Sequence, residues 1–365
     1  MAALKVRPGI LDIAPYVPGR ATADDGARQI KLSSNETPLG TSSLAIEAYR
    51  RVATELHRYP DGSAFDLRAA LGRHHRLDAD RIVCGNGSDE LISLLAQGYA
   101  GAGDEVLFTS HAFAMYPIAA RAVGATPIAA PETDLCADID ALLEQAGPET
   151  RICYLANPNN PTGSYVPAEA LRRLRAGLPD HCLLVIDAAY AEYITRNDYS
   201  DGVELVDAHD NVVMTRTFSK IYGLAAVRLG WLYGPAPVID VLNRTRGPFN
   251  INAPAQAAGI AALEDTAFIA AAVAHNDRWR PWLEQEMTAL GLKIHPSIAN
   301  FVLVEFPPEP RRGAEAAYRH LLGTGIIPRQ LVNYGLPDCL RFSVGLEDEN
   351  HAVIGQLRAF VSGGG

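Results

Sequence analysis

Short apolar runs alternate with amphipathic stretches along the first two thirds of the chain. The apolar runs predict strands at residues 81–84, 105–109, near 126, 152–155, 183–186, 212–215 and 230–233. The stretches between them have helical periodicity and predict helices at residues 64–74, 90–100, 116–123, 139–145 and 168–176. Alternation of this kind predicts an α/β fold with a mostly parallel sheet and helices on both faces.

The pattern becomes helical after Pro235, with predicted helices at residues 238–243, 255–263 and 266–290, the last of which Pro281 is expected to kink. Short strands and helices return from Lys293, at residues 301–305, 314–322, 340–344 and 351–360. The first thirty residues are rich in Pro, Gly and small polar residues and predict an extended arm. We therefore expect an arm at 1–32, a large domain at 33–245 and a smaller α+β domain at 246–365, whose first part, 246–290, is a helical connection.

Composition narrows the class of protein. A chain of 365 residues with 48% apolar content can bury a large core, and a formal net charge of −10 without a basic run argues against a nucleic-acid surface. No run of about 18 apolar residues appears, and Arg7-Pro8 interrupts the N-terminus before a signal-peptide core could form. The ten histidines show no metal-ligand spacing, so no metal is expected. The odd number of scattered cysteines predicts free thiols and a soluble, cytoplasmic protein.

The segment Thr217-Phe218-Ser219-Lys220, followed by Arg228, combines groups that suit a phosphorylated aldehyde. A lysine can form a Schiff base with a carbonyl, whereas hydroxyls, backbone amides and a guanidinium hold a phosphate dianion. Pyridoxal phosphate is the cofactor that needs both kinds of group. The alternative for Lys220 alone is an ordinary solvated lysine.

Two further strand ends carry polar side chains. Asp187 follows the apolar run 182–186, and ligands of open α/β sheets bind at that edge, where a carboxylate can keep a pyridine nitrogen protonated. Tyr190 is close enough along the chain to reach the ring hydroxyl. The alternative is that Asp187 caps the next segment and Tyr190 packs in the core. The turn 156–163, with Asn157, Asn160 and two prolines, is either a rigid support for an asparagine amide or an ordinary connection.

The segment Gly85-Asn86-Gly87-Ser88-Asp89 joins a predicted strand to a predicted helix. Glycines let the backbone approach a ligand, and a helix N-terminus presents free N–H groups to phosphate. Alone, this segment is equally typical of an ordinary helix cap.

Together and in this order, these segments resemble the fold-type-I pyridoxal-phosphate aminotransferases, and most closely the histidinol-phosphate aminotransferases. The resemblance runs over nearly the whole chain and includes Pro15-Tyr16-Val17-Pro18-Gly19, Ser34-Asn35-Glu36-Thr37-Pro38-Leu39-Gly40, Arg58-Tyr59-Pro60, Pro248-Phe249-Asn250 and Leu340-Arg341-Phe342-Ser343-Val344-Gly345. It implies a mostly parallel, mixed seven-stranded sheet in the large domain and a smaller α+β domain.

The resemblance also implies roles for individual residues. Lys220 would bind the cofactor covalently and move the proton at the substrate α-carbon, and Asp187 would bind the pyridine nitrogen. Tyr190 and Asn160 would bind the ring hydroxyl, and Phe113 would stack on the ring, with Tyr116 as the alternative. The phosphate-binding set would be Gly87, Ser88, Asp89, Thr217, Ser219, Arg228 and, from a second subunit of a homodimer, Tyr59.

Substrate binding is implied for Arg341 and Arg329, with Tyr16, Asn35 and Asn157 nearby. Guanidinium groups match carboxylates and phosphates equally well, so Arg341 could bind either, and a second arginine suits a dianion. The resemblance therefore predicts amino transfer between L-histidinol phosphate and 2-oxoglutarate. The alternatives are an aromatic amino-acid aminotransferase, with or without dual activity, a decarboxylase of a phosphate-bearing amino acid, and a ligand-sensing regulator. The regulator would need a DNA-binding domain, for which the chain before Ser33 is too short.

Overall fold

The computed structural model describes residues 5–22 and 29–363. The predicted arm lies partly outside the described residues, at 1–4 and 23–28. The helices are α1 Ser43–Val52, α2 Phe65–His75, α3 Ser88–Tyr99, α4 Met115–Val123, α5 Ile139–Gln145, α6 Ala168–Gly177, α7 Val203–Ala208, α8 Ala236–Thr245, α9 Ala253–Glu264, α10 Thr266–Ala289, α11 Ala314–Gly323 and α12 Glu347–Ser362.

The strands form one large sheet, one smaller sheet and two short pairs. They are β1 Ile30–Lys31, β2 Ile82–Gly85, β3 Glu105–Thr109, β4 Thr126–Ala130, β5 Glu132–Thr133, β6 Cys136–Ala137, β7 Thr150–Ala156, β8 Leu183–Asp187, β9 Val212–Thr217, β10 Gly230–Tyr233, β11 Lys293–His295, β12 Phe301–Glu305, β13 Ile326–Ile327, β14 Arg329–Leu331 and β15 Leu336–Ser343.

The large sheet has seven strands in the order β2-β10-β9-β8-β7-β3-β4. Only β10 is antiparallel to its neighbours, and the other pairs are parallel. The central strands β7, β8 and β9 are buried along nearly their whole length because helices cover both faces, which creates two buried clusters, one on each side. This confirms the predicted α/β fold with a mixed, mostly parallel seven-stranded sheet.

The smaller sheet is antiparallel, in the order β11-β12-β15-β14, and packs with α10, α11 and α12 around a separate apolar core. Strand β1 pairs in parallel with β13, so the residues just before Ser33 contact the C-terminal part of the chain. The predicted domain boundaries at 32/33 and 245/246 stay predictions. Helix α10 continues through Pro281, and the kink expected there stays a prediction; a sharp change of direction, 74°, lies between α9 and α10.

All five cysteines are free; four are buried and Cys136 is half-buried. In the part of the chain that is described, no single helix has the length and apolar character needed to cross a membrane. Only the bent pair α9 and α10 together would satisfy that test, and by length and composition alone.

Candidate active site

A cavity opens at the carboxyl ends of β7, β8 and β9, where parallel α/β sheets bind ligands. Asp187 is the last residue of β8 and Thr217 the last of β9, so the sheet itself places both side chains at this edge. The cavity brings together most of the residues predicted from sequence: Tyr16, Asn35, Ser88, Asp89, Phe113, Asn160, Asp187, Tyr190, Thr217, Ser219, Lys220, Arg228, Arg329 and Arg341.

The Lys220 amine is held over the cavity by two groups. Its Nζ donates a hydrogen bond to the backbone carbonyl of Ser34 at 3.1 Å and lies 5.8 Å from the centre of the Tyr190 ring. Burial lowers the pKa of Lys220 to about 8, and the nearby Arg341 charge adds to the shift. A minor but appreciable fraction of the amine is therefore neutral near physiological pH, the form that attacks an aldehyde.

Asp187 is 5% exposed, and its two oxygens have different surroundings. Oδ2 accepts a hydrogen bond from the Tyr116 hydroxyl at 2.8 Å, whereas Oδ1 has no partner in the described parts of the chain. Burial raises the pKa of Asp187 to about 6. An unpartnered carboxylate oxygen at a cavity wall is an acceptor for a ligand N–H group.

Phe113 and Tyr116, the two candidates for stacking on a ligand ring, occupy different places. Phe113 lines the cavity, whereas Tyr116 is fully buried and stacks on Tyr154 with ring centres 4.6 Å apart. The Tyr116 ring meets Phe113 edge to face at 5.9 Å. Of the two, Phe113 alone has a ring available to the cavity.

Tyr190 is oriented by Asn35, which donates to the Tyr190 hydroxyl at 2.9 Å. Asn35 has a positive φ of 58°, a conformation that Asn tolerates better than most residues, and its backbone N–H donates to Ser343 Oγ at 2.8 Å. Burial raises the pKa of Tyr190 to about 12, so its hydroxyl stays protonated. The loop containing Asn35 thus links the smaller sheet to the edge of the large sheet where the cavity opens.

The opposite end of the cavity is built for an anion. Gly87 precedes α3, whose first N–H groups have no side-chain cap, and Gly87 has a φ of 79°. A Cβ at Gly87 would lie 2.4 Å from the Arg228 guanidinium, so glycine allows this close approach. Arg228 donates to Asp89 at 2.9 Å and to Ser219 Oγ at 3.3 Å. Arg228 itself has a φ of 56°, a strained conformation of the kind that concentrates at functional sites.

Arg329 and Arg341 are opposite each other on the antiparallel strands β14 and β15, and both are buried. Arg341 donates to the side-chain oxygen of Asn160 and to the Ser33 carbonyl, whereas Arg329 donates to the Val17 carbonyl at 2.7 Å. Neither guanidinium forms an ion pair with a carboxylate of the described residues. Burial lowers the pKa of Arg341, which shows how poorly its charge is compensated.

Besides Gly87, which lies next to the cavity but not in its lining, two predicted site residues do not reach it. Tyr59 is 83% exposed and stacks on Phe249 with ring centres 4.7 Å apart. Asn157 is fully buried, and its side-chain amide bonds to the backbone of Val166 and Ser200, so it stabilises the turn instead of facing a ligand. The peptide bonds Asn157-Pro158 and Asn160-Pro161 in this turn are both cis.

Sequence reasoning missed some contributors to the cavity. Tyr334 lines it but sits in a short stretch of ordinary composition, which gave no signal. The carbonyls of Ser33 and Ser34 are backbone groups, which no residue pattern can identify. The Tyr116 hydroxyl could have been considered, since Tyr116 lies three residues after Phe113 at the start of a predicted helix.

One group of potential metal ligands forms away from the cavity, although the sequence showed no ligand spacing. His295, Glu305 and Cys339 have side-chain ligand atoms within 4.8 Å of one another. Glu305 is already paired with Lys293 and with His295, each at 2.8 Å, and burial raises the pKa of the Cys339 thiol to about 12. The Cys339 thiol is protonated and the Glu305 carboxylate is already engaged by Lys293 and His295. These residues therefore make a poor cation site.

The cavity fits pyridoxal phosphate at each of its functional groups. Lys220 suits the aldehyde, the unpartnered Asp187 Oδ1 suits the ring N–H, and the α3 N-terminus with Arg228 and Ser219 suits the phosphate. The described residues thus supply one complementary group for each part of the cofactor.

Comparisons with known proteins give the family. A family model for aminotransferase class I and II matches residues 27–356. The chain is 55% identical over 361 residues to the histidinol-phosphate aminotransferase of Paramagnetospirillum magneticum, covering 99% of each chain, and 56% identical over 356 residues to that of Rhodospirillum centenum, covering 98% of each. A crystal structure of histidinol-phosphate aminotransferase from Sinorhizobium meliloti in complex with pyridoxal-5'-phosphate has a TM-score of 0.89 at 27% identity, with 99% of each chain covered. The chain belongs to the histidinol-phosphate aminotransferase family, within the class I and II aminotransferases.

Proposed function

We propose that this enzyme transfers the amino group of L-histidinol phosphate to 2-oxoglutarate in histidine biosynthesis, with pyridoxal phosphate as cofactor. The bound cofactor supplies an electron sink for the negative charge that develops at the substrate α-carbon. The family relationship supports the reaction, and the groups that line the cavity support the cofactor.

Lys220 would hold the cofactor through its aldehyde and would move the proton at the substrate α-carbon. Its lowered pKa supports both roles, because an amine that titrates near 8 can accept and return a proton close to physiological pH. Asp187 accepts the ring N–H, and Tyr190 and Asn160 bind the ring hydroxyl. Phe113 stacks on the ring.

The observation that carries the substrate assignment is the buried pair Arg329 and Arg341. Two adjacent guanidinium groups without a carboxylate partner among the described residues need an anion, and a phosphate dianion satisfies both. An oxo acid with a second carboxylate, such as 2-oxoglutarate, can use the same pair in the other half-reaction. Phenylalanine has no anionic side chain and leaves one arginine unsatisfied.

Arg329→Ala tests this assignment. We expect kcat/KM for histidinol phosphate to fall roughly a hundredfold, the worth of a charge-assisted contact, while kcat/KM for phenylalanine changes much less. Arg319→Ala is the control, because Arg319 is exposed and, among the residues that the structure describes, forms an ion pair with Glu315 on its own helix and with no other carboxylate. Equal losses for both substrates would remove the argument for a phosphate-selective pair.

A homodimer is the second part of the proposal, with Tyr59 completing the neighbouring phosphate site. Tyr59 is exposed in the single chain although the resemblance assigns it to cofactor binding, and its stacking partner Phe249 is exposed too, so a partner subunit could cover both. The exposed apolar residues before and after it are Leu44, Ile46, Tyr49, Leu56, Phe65 and Phe249. Sedimentation equilibrium should give twice the chain mass, and a monomer would contradict the proposal.

We also infer a cytoplasmic location. The five free cysteines support it, since four of them are buried thiols of the kind that persist in a reducing compartment.

A further inference from the structure

Tyr116 is a buried tyrosine to which sequence reasoning gave no role except as an alternative ring-stacking residue. Its ring lies parallel to Tyr154, with an angle of 6° between the planes, which fixes the direction of its hydroxyl. That hydroxyl donates to Asp187 Oδ2 at 2.8 Å. The contact joins α4 to the end of β8, and its two residues are 71 positions apart in the sequence.

The Asp187 carboxylate can rotate about its last bond unless one oxygen is held. With Oδ2 engaged by Tyr116, Oδ1 is directed elsewhere, and it has no partner in the described chain. Thr215 is opposite Asp187 in the sheet register, and its hydroxyl has no partner within the usual hydrogen-bond geometry among the described residues. Tyr116 thus makes the well-formed side-chain hydrogen bond to the Asp187 carboxylate, and the Thr215 hydroxyl and the Ala189 backbone N–H favour its charged form less strongly.

The same contact favours the charged form of Asp187. Burial raises the pKa of Asp187 and the Asp89 charge adds to this rise, whereas hydrogen bonding opposes it, most strongly from Tyr116 and less so from Thr215 and the Ala189 backbone. Burial and the neighbouring Asp187 raise the pKa of Tyr116 well above its usual value, so the proton stays on the tyrosine. Tyr116 is thus a donor throughout the physiological range.

We propose that Tyr116 is a positioning residue for cofactor binding: by holding Asp187 Oδ2, it keeps Asp187 Oδ1 ionised and aimed at the ring N–H of the pyridine cofactor. The inference rests on the proposed use of pyridoxal phosphate. It concerns recognition of the cofactor and does not depend on which amino donor the enzyme uses, so a wrong substrate assignment would leave it unaffected.

The test compares two ligands that differ at one ring atom. Apoenzyme is titrated with pyridoxal phosphate and with its carbocyclic analogue, in which the ring nitrogen is replaced by C–H, and both dissociation constants are measured. Both ligands have the aldehyde and the phosphate, so Lys220 and Arg228 treat them alike. The preference for pyridoxal phosphate over the analogue reports the contact between Asp187 and the ring nitrogen.

We expect Tyr116→Phe to reduce this preference roughly tenfold, because one hydrogen bond to a buried carboxylate is lost while the ring and its stacking remain. Tyr154→Phe is the matched control. It removes a hydroxyl from the same ring stack, but the Tyr154 hydroxyl donates to the Ile92 carbonyl at 2.8 Å and not to Asp187. The control should keep the wild-type preference. An unchanged preference in Tyr116→Phe, or an equal loss in both variants, would overturn the proposal.

A pH series gives a second readout. The preference should decline as pH falls through the pKa of Asp187, about 6 in the wild type, and the midpoint should move to higher pH in Tyr116→Phe. Asp89, Tyr154, Tyr190 and Tyr199 also act on Asp187 electrostatically, and Thr215 and the Ala189 backbone N–H act by hydrogen bonding; all are unchanged in this variant. If Tyr116→Phe does not fold, 3-fluorotyrosine in place of Tyr116 keeps the ring and strengthens the donor. The midpoint should then move to lower pH, and an unmoved midpoint would overturn the proposal.

Discussion

Burial shifts the pKa values of two site residues in opposite directions. It raises the pKa of Asp187 to about 6 and lowers the pKa of Lys220 to about 8, because in both cases the charged form is disfavoured away from water. Near pH 7 the carboxylate is still mostly ionised, and part of the lysine is neutral. These are the forms needed to bind a ring N–H and to attack an aldehyde.

The lowered pKa of Lys220 predicts how apoenzyme takes up the cofactor. Covalent attachment needs the neutral amine, so its rate should rise about tenfold per pH unit below pH 8 and level off above it. Stopped-flow absorbance measures this rate. The same series with N-acetyl-lysine amide, whose amine has its ordinary pKa, corrects for titration of the cofactor itself once its rate is expressed per neutral amine. A corrected enzyme rate that still rises at pH 10 would contradict the assigned pKa.

At the residue scale, the sequence predicted identities better than contacts. Lys220 and Asp187 could be identified because each has distinctive chemistry at a strand end. The bond from Tyr116 to Asp187 could not be predicted, because it depends on how α4 packs against the sheet. Asn157 is the opposite case. It was predicted to lie near the substrate, but its side-chain amide donates hydrogen bonds to the backbone carbonyls of Val166 and Ser200 inside the fold.

At the scale of elements, the turn from β2 to α3 brings Gly87 against Arg228. A side chain at Gly87 would be unfavourable in two ways. Residues other than glycine disfavour its positive φ, and the added Cβ would clash with the Arg228 guanidinium. Substitution at Gly291 measures the effect of positive φ alone, because Gly291 has a φ of 81° and no atom within 4 Å of its ideal Cβ.

Gly87→Ala and Gly291→Ala should therefore both lower the free energy of unfolding by about 1 kcal/mol. Only Gly87→Ala should weaken cofactor binding, roughly tenfold, because only there is the guanidinium displaced from the phosphate site. Denaturant unfolding of the apoenzyme and cofactor titration measure the two effects. Equal cofactor affinity in both variants would show that the close approach to Arg228 is unimportant.

Helices and strands that were predicted from a clear hydrophobic periodicity agree with the structure. Several short helices and strands were not predicted. Strands β3 and β10 and helix α5 have the predicted bounds. Helix α1 was not predicted although its sequence is amphipathic; its buried positions are the small Ala45 and Ala48, whereas Leu44, Ile46 and Tyr49 are exposed. The two-residue strands β1 and β13 have too few residues for any period, and only their pairing defines them.

At the scale of the whole molecule, the proposed dimer predicts that defects in two different residues complement each other. Lys220→Ala should abolish turnover alone, and Tyr59→Ala should weaken cofactor binding alone. In a mixed dimer, one site would carry both defects and the other neither, if Tyr59 crosses to its neighbour. Refolding the two variants together should then restore about a quarter of wild-type activity, since about half of the dimers are mixed.

The control for this experiment mixes Lys220→Ala with Asp187→Ala. Both of these residues line one cavity of one chain, so every site in the mixed dimer keeps a defect. No activity should be gained. Failure of the Tyr59 mixture to gain activity, with mixed dimers demonstrated by mass, would place Tyr59 outside the neighbouring site.

The most direct test of the proposed function follows one half-reaction. The absorbance spectrum of cofactor-loaded enzyme is recorded during separate additions of histidinol phosphate and phenylalanine, without any oxo acid. We predict that histidinol phosphate at low concentration converts the spectrum to that of the aminated cofactor, and that phenylalanine does so only weakly. If phenylalanine or tyrosine is the better donor, the fold and the role of Lys220 remain, but the enzyme is an aromatic aminotransferase.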